Sequence, residues 1–139
     1  MTATLSGKTL LMDWIARLAA AVIMGQTLFY KFSAAPETIA LFEKLGVEPW
    51  GRLATGGFEL IAVLLLLVPR TAGLGGLLTL GLMGGAIMSH LTVLGIEVEG
   101  DGGLLFTMAV VSLVAGAITS WLHRTELPIV GARFAPVEA

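Results

Sequence analysis

Lys31, Arg52, Glu59 and His90 each sit inside or at the edge of an otherwise apolar stretch of this chain. An isolated carboxylate in hydrocarbon either takes up a proton or finds a cation, because desolvation disfavours its charged form and a nearby positive charge favours it. Lys31 and Arg52 are the cations within reach of Glu59 in sequence-derived depth, and His90 adds an imidazole that can donate or accept. Placed together, an acid, an imidazole and one or two cations would form a polar pocket able to bond a small amphiphile or to relay a proton. Phe29, Tyr30, Phe32 and Phe58 are the expected apolar or stacking walls of that pocket. A quinone, with a polar head and an apolar body, has the matching shape. The competing reading makes these charges a buried pair, or side chains reaching the interface, that only lock the bundle.

Helical spacing supplies the depth argument. Arg17, Met24 and Lys31 recur at seven-residue intervals, so both cations lie on one helix face, about 21 Å apart along the axis. They cannot share a partner. Asp13 and Arg17, four residues apart, can pair on that face. Gln26 lies about 180° from Arg17 and faces a different neighbour or its own helix. Arg52, Gly56 and Glu59 share a face of the next helix, with Glu59 about 13 Å from Trp50 and near mid-membrane. His90, five residues before Gly95, falls at a similar depth to Lys31 and Arg52.

Other chemistries are excluded by residue type. The sequence has no Cys, which removes disulfides, thiol redox chemistry and cysteine-ligated iron–sulfur or zinc sites. The second histidine, His123, follows the last apolar span, far in depth from His90, so bis-histidine haem ligation fails and no metal site is expected. There is no H-E-x-x-H, Walker A or G-x-S-x-G sequence, and Gly73–Gly76 lacks the strand-turn-helix setting of a phosphate loop. No covalent cofactor is expected.

The elements that must position these residues follow from composition. The chain has 139 residues, 56% hydrophobic and 13% charged, with a net charge of -2 and a mean hydropathy of +0.91. Soluble domains average about 25% charged residues, so this chain cannot cover a water-facing surface and its partner is the lipid bilayer. A near-neutral balance argues against nucleic acid. A spanning helix needs roughly 20 mostly apolar residues, and four stretches qualify: about 10–32, 50–68, 71–94 and 102–122. The last two carry no Asp, Glu, Lys or Arg. The first two are interrupted by Asp13, Arg17 and Lys31 and by Arg52 and Glu59, at about 2.5–3.5 kcal/mol for a charge near a helix centre. Between them, Ile39, Phe42 and Leu45 recur every third residue, which predicts a short surface helix over about 36–46. The expected architecture is all-α: a single-domain integral membrane four-helix bundle, residues 1–139.

Loop charges orient that bundle. Lys8, Arg17, Arg70, Arg124 and Arg133 fall to one side, whereas Glu37, Glu43, Glu48, Glu97, Glu99 and Asp101 fall to the other with only Lys44. The positive-inside rule then places both termini in the cytoplasm. Lys8 before an apolar run, with Ser33-Ala34-Ala35 beyond it, has the outline of a cleavable signal, but Asp13, Arg17 and Gln26 interrupt the apolar core such a signal needs. Glycine, at 18 residues, is about twice its usual share of about 7%. Gly81-x-x-x-Gly85-x-x-x-Ser89 and Ser112-x-x-x-Gly116-x-x-x-Ser120 each form a small-residue face, expected to make helix contacts inside the bundle.

Arg17-Leu18 followed by Gly25 and Tyr30-Lys31-Phe32, then Leu45-Gly46-Val47 with Pro49, Gly56-Gly57-Phe58-Glu59, Arg70, and Ala86 before His90 together resemble the DoxX family of small bacterial membrane proteins. The resemblance covers roughly Arg17 to Leu122. It implies a four-helix bundle in the bacterial inner membrane and association with oxidoreductases, with Arg17, Lys31, Glu59 and His90 at the family's recurring polar positions. The leading expectation is a membrane subunit or quinone-associated component of an oxidoreductase, in which Glu59 and His90 bond quinone oxygens or relay protons. The alternatives are a non-catalytic scaffold for another membrane protein, a homo-oligomer built on the small-residue faces, or a small-solute transporter, the last disfavoured because no span is broken.

Overall fold

The computed structural model describes residues 5–136 and is all-helical among them. Helix α1 covers Gly7–Phe32, α2 Pro36–Lys44, α3 Trp50–Leu67, α4 Ala72–Ser89 and α5 Leu104–Leu122. The stretches Gly7–Phe32, Trp50–Leu67, Pro69–Leu94 and Leu104–Leu122 are each long and apolar enough to cross a membrane. Around the bundle the order of neighbours is α1, α3, α4, α5 and back to α1, with the tightest association between α4 and α5 and little contact across the ring between α1 and α4. Helix α2 is the surface helix foreseen between the first two spans; it buries Phe42, and Pro36 at its first position supplies a preset φ where no N–H partner is needed.

The side chains are arranged as lipid dictates. The interior is built from small and flexible residues, Ala16, Ala20, Met24, Ala62, Leu66, Met83, Ala109 and Ala115, while Leu11, Ile15, Val22, Leu64 and Val114 point outward. With apolar solvent on both sides there is no hydrophobic drive between helices, so they associate by close backbone approach and dispersion. Gly76 shows how close. A Cβ placed there would stand 2.6 Å from Ser120 Oγ and 2.8 Å from the Gly116 carbonyl oxygen. Thr79 Oγ1 donates to the Gly75 carbonyl at 2.7 Å and Ser120 Oγ to that of Gly116 at 2.7 Å, which satisfies both hydroxyls within their own helices.

Two expectations change. The Ser112, Gly116 and Ser120 face is buried in the bundle, but the Gly81 and Gly85 face is not: nothing lies within 4 Å of a Cβ built at either position. Helix α4 presents Gly73, Gly75, Gly76, Thr79 and Met83 to the interior instead, and at 100° per residue Gly81 stands about 160° from Thr79. The third span is also not uniform. Its last turn, His90–Leu94, is widened to i→i+5 bonding, with the Gly95 N–H donating to the His90 carbonyl at 2.8 Å. Gly95 ends it at φ +81°, a conformation natural to glycine.

Candidate functional site

Two polar clusters lie at opposite ends of the bundle. In the first, Lys31 Nζ from the last turn of α1 is 2.9 Å from Glu59 Oε2 and donates to Oε1 at 3.2 Å. Thr27 Oγ1 lies 3.2 Å from Glu59 Oε2 and 2.8 Å from the Met24 carbonyl, and its single proton serves one of them at a time. Arg52, one turn into α3, grips Glu48 through Nε at 2.9 and 3.1 Å, and its Nη1 donates to the Lys31 carbonyl. Lys31 is thus held twice, by its side chain to Glu59 and by its backbone to Arg52. The last turn of α1 leaves its carbonyls without helical partners, and a cation there is favoured by the helix dipole.

The expected single pocket is not what these contacts describe. Lys31, Glu59 and Arg52 are brought together, but His90 is bonded elsewhere: its Nδ1 donates to the Gly95 carbonyl at 2.8 Å, and Phe106 stands edge-on at 5.5 Å. The carbonyl can only accept, which fixes the proton on Nδ1. Among the described residues no hydrogen bond or ion pair joins His90 to Lys31, Arg52 or Glu59. The widened turn is the reason, since it brings the Gly95 carbonyl back under the ring. Gln26 is separate again, donating to Met108 Sδ at 3.0 Å on the bundle's flank.

The aromatic residues expected as walls are on the outside. Phe29, Tyr30, Phe32 and Phe58 are all half exposed or more, Phe29 at 71%. The Phe32 ring covers Gly56, where a Cβ would meet it at 3.1 Å. Phe58 borders a shallow groove with Ala54, Gly57 and Ile61, a face about 150° around α3 from Glu59 at 100° per residue.

The second cluster joins the start of α1 to the end of α5. Arg17, only 1% exposed, donates through Nε to the Leu66 carbonyl at 2.6 Å, pairs through Nη1 with Asp13 Oδ2 at 3.3 Å, and lies 3.7 Å over the Trp14 ring. Asp13 Oδ2 also meets His123 Nε2 at 3.0 Å, and His123 Nδ1 faces Glu126 Oε2 at 3.4 Å. Asp13 Oδ1 and Arg17 Nη2 are buried with no partner. A cleft of about 180 Å3, lined by Pro69, Arg70, His123 and Glu126, opens beside the cluster. That is below the about 300–1,000 Å3 of sites for drug-sized ligands, and large enough for water.

The pairing of Asp13 with Arg17 was readable from its i, i+4 spacing. His123 and Glu126 were not singled out, although one signal pointed to them: an even number of spans returns residue 123 to the end of the bundle that holds residue 13. Among the described residues no three His, Asp or Glu side chains are grouped to hold a metal ion.

Fold and clusters together define an all-helical bundle with four helices able to cross a membrane and with charge held in interhelical pairs inside it. No family model, no curated protein and no solved structure matches this chain.

Proposed function

We propose that this chain is a DoxX-like multi-pass protein of the bacterial inner membrane that serves as a quinone-associated component of an oxidoreductase system. The observation that carries this reading is the Lys31–Glu59 pair. Two formal charges are held 2.9 Å apart on different helices, at the end of the bundle opposite the Asp13–Arg17 pair. Lys31 has three N–H donors, and Glu59 occupies two, so one remains for the carbonyl oxygen of a quinone head arriving from the lipid side. The Lys31 side chain is 13% exposed, and Phe29 and Tyr30 flank it in sequence on the outer surface of α1. Glu59 completes the site as an acceptor for a quinol hydroxyl.

The test is mass spectrometry of lipophilic molecules retained through gentle purification from the native membrane. A stoichiometric quinone is expected in the native protein and in His90→Ala, whose ring is committed to Gly95. It is expected to be lost from Lys31→Met and Glu59→Gln. Retention of bulk lipid alone in every preparation sinks the reading.

A second reading, a scaffold for another membrane protein, is favoured by the open face of α4. Gly81, Gly84 and Gly85 have no neighbour within 4 Å of a Cβ, so a partner's helix could approach there as closely as α5 approaches Gly76. Under that reading Gly85→Leu disrupts co-purification of the partner and Glu59→Gln does not.

Orientation follows from charge. Arg70 and His123 line one cleft, and His123 touches Asp13, so the start of α1, the α3–α4 turn and the end of α5 share one end of the bundle. Lys8, Arg70, Arg124 and Arg133 belong to that end. The positive-inside rule makes it cytoplasmic, with both termini there.

A further inference from the structure

We propose that His123, clasped between Asp13 and Glu126 at the cleft end of the bundle, is a proton-binding site of this protein. Nε2 faces Asp13 Oδ2 at 3.0 Å and Nδ1 faces Glu126 Oε2 at 3.4 Å. A neutral imidazole has one N–H and one lone pair. In either neutral tautomer one carboxylate oxygen confronts a lone pair, whereas the imidazolium donates to both. The geometry of the clasp is therefore complementary to the protonated ring.

Charge leads to the same conclusion. From α1, Asp13 faces the ring and is itself paired with Arg17 behind it. The segment after α5 contributes Glu126 beside the ring, while Arg124 is turned away, donating to the Trp121 carbonyl at 2.7 Å and lying 4.3 Å over the Trp121 ring. The α3–α4 turn contributes Arg70 across the cleft. Helix α4 carries no charged or titratable side chain; its Gly73 lies against the histidine, where a Cβ would meet His123 Cβ at 3.1 Å. The two carboxylates on the ring, Asp13 and Glu126, together with the Arg17 that pairs with Asp13, carry one net negative charge, which a single proton on His123 cancels. Asp13 is fully buried, Oδ2 serves both cations, and Oδ1 has no partner, so this carboxylate is short of donors rather than of acceptors.

Access completes the site. His123 is 6% exposed and lines the cleft, so water reaches the ring from one side while Asp13 backs it from the other. The step is a simple transfer: hydronium reaching the cleft gives a proton to the imidazole nitrogen and leaves as water, and the imidazolium returns the proton to cleft water or to the Asp13 carboxylate. No electron moves and no other bond changes. The site lies at the opposite end of the bundle from the Lys31–Glu59 pair and does not rest on the quinone reading.

Nitrogen-15 NMR of ring-labelled histidine, on the full chain in lipid nanodiscs at neutral pH, tests this directly. Only two histidines contribute, and His90→Gln identifies the His123 signals. Both His123 ring nitrogens are expected to be protonated in the native chain, and the charged form is expected to be lost in Asp13→Asn and in Glu126→Gln. A neutral His123 in the native chain overturns the proposal without any variant. A charged ring unaffected by both substitutions overturns the clasp. Should Asp13→Asn fail to fold, Glu126→Gln, which changes a side chain at the cleft mouth, decides alone.

Discussion

Lys31 and Glu59 reach each other from different helices, so removing either one leaves the other without its partner in the apolar layer. Breaking a buried pair in this way typically costs about 3–5 kcal/mol, whereas replacing both partners with apolar residues is often neutral or stabilising. Lys31→Met is therefore expected to destabilise the bundle by about 3–5 kcal/mol, and Lys31→Met with Glu59→Met together to restore most of that loss. Reversible unfolding in mixed micelles measures both. If the double variant costs as much as the two single variants added, the pair is not coupled. Arg17 is a different case, because its guanidinium serves a backbone carbonyl, a carboxylate and a ring at once, so no single apolar replacement can be neutral. Helix periodicity made Asp13 with Arg17 legible in the sequence. The partners Lys31–Glu59 and Asp13–His123 were legible only as shared depths, because rise per residue fixes a level while the rotation of each helix about its axis decides who touches whom.

Rotation is set at the level of the helices by where backbones can meet. Gly76 is where α4 comes closest to α5, and a methyl group there meets Ser120 Oγ at 2.6 Å and the Gly116 carbonyl at 2.8 Å. Gly76→Ala is expected to force the two helices apart and cost about 1–3 kcal/mol, while Gly85→Leu, on the open face, leaves unfolding free energy within about 0.5 kcal/mol. An equal effect of the two substitutions contradicts the packing. Both glycines sit among other small residues, so spacing alone cannot choose between them; only the register of α4 against α5 does. The start of α5 depends on Asp101, outside the spans, whose carboxylate accepts from the N–H groups of Val98, Gly103 and Leu105 at 2.8–3.0 Å. Desolvation pushes its pKa up, but those three backbone bonds and the charge of His90 outweigh it and leave it below the usual 3.8. The folded value being the lower one, this contribution to stability is fully present above the ordinary pKa and is lost as pH falls through the folded value. Asp101→Ala is expected to cost about 0.5–2 kcal/mol near neutral pH and to remove that acid-limb dependence, as read from unfolding midpoints across an acid titration.

At the scale of the whole molecule, polarity is distributed by end rather than by face. One end carries Arg70, Arg124 and Arg133 with the Asp13–His123 clasp, and the other carries Glu37, Glu43, Glu48, Glu97, Glu99 and Asp101. Lysine and arginine resist translocation far more than acidic residues do, which is the ground for the proposed orientation with the basic end on the side of synthesis. The four spans, their order and the surface helix could be read from hydropathy because bilayer thickness sets helix length. The widened turn at His90 could not, since it depends on how the chain closes on Gly95. Orientation can be measured without background labelling because the chain has no native Cys. Ala132 and Glu97 are both exposed, one at each end. In intact cells a bulky membrane-impermeant maleimide is expected to label Glu97→Cys, and to label Ala132→Cys only after the membrane is opened. The reverse pattern inverts the orientation, and with it places the His123 cleft on the far side of the membrane, where its proton would come from outside the cell.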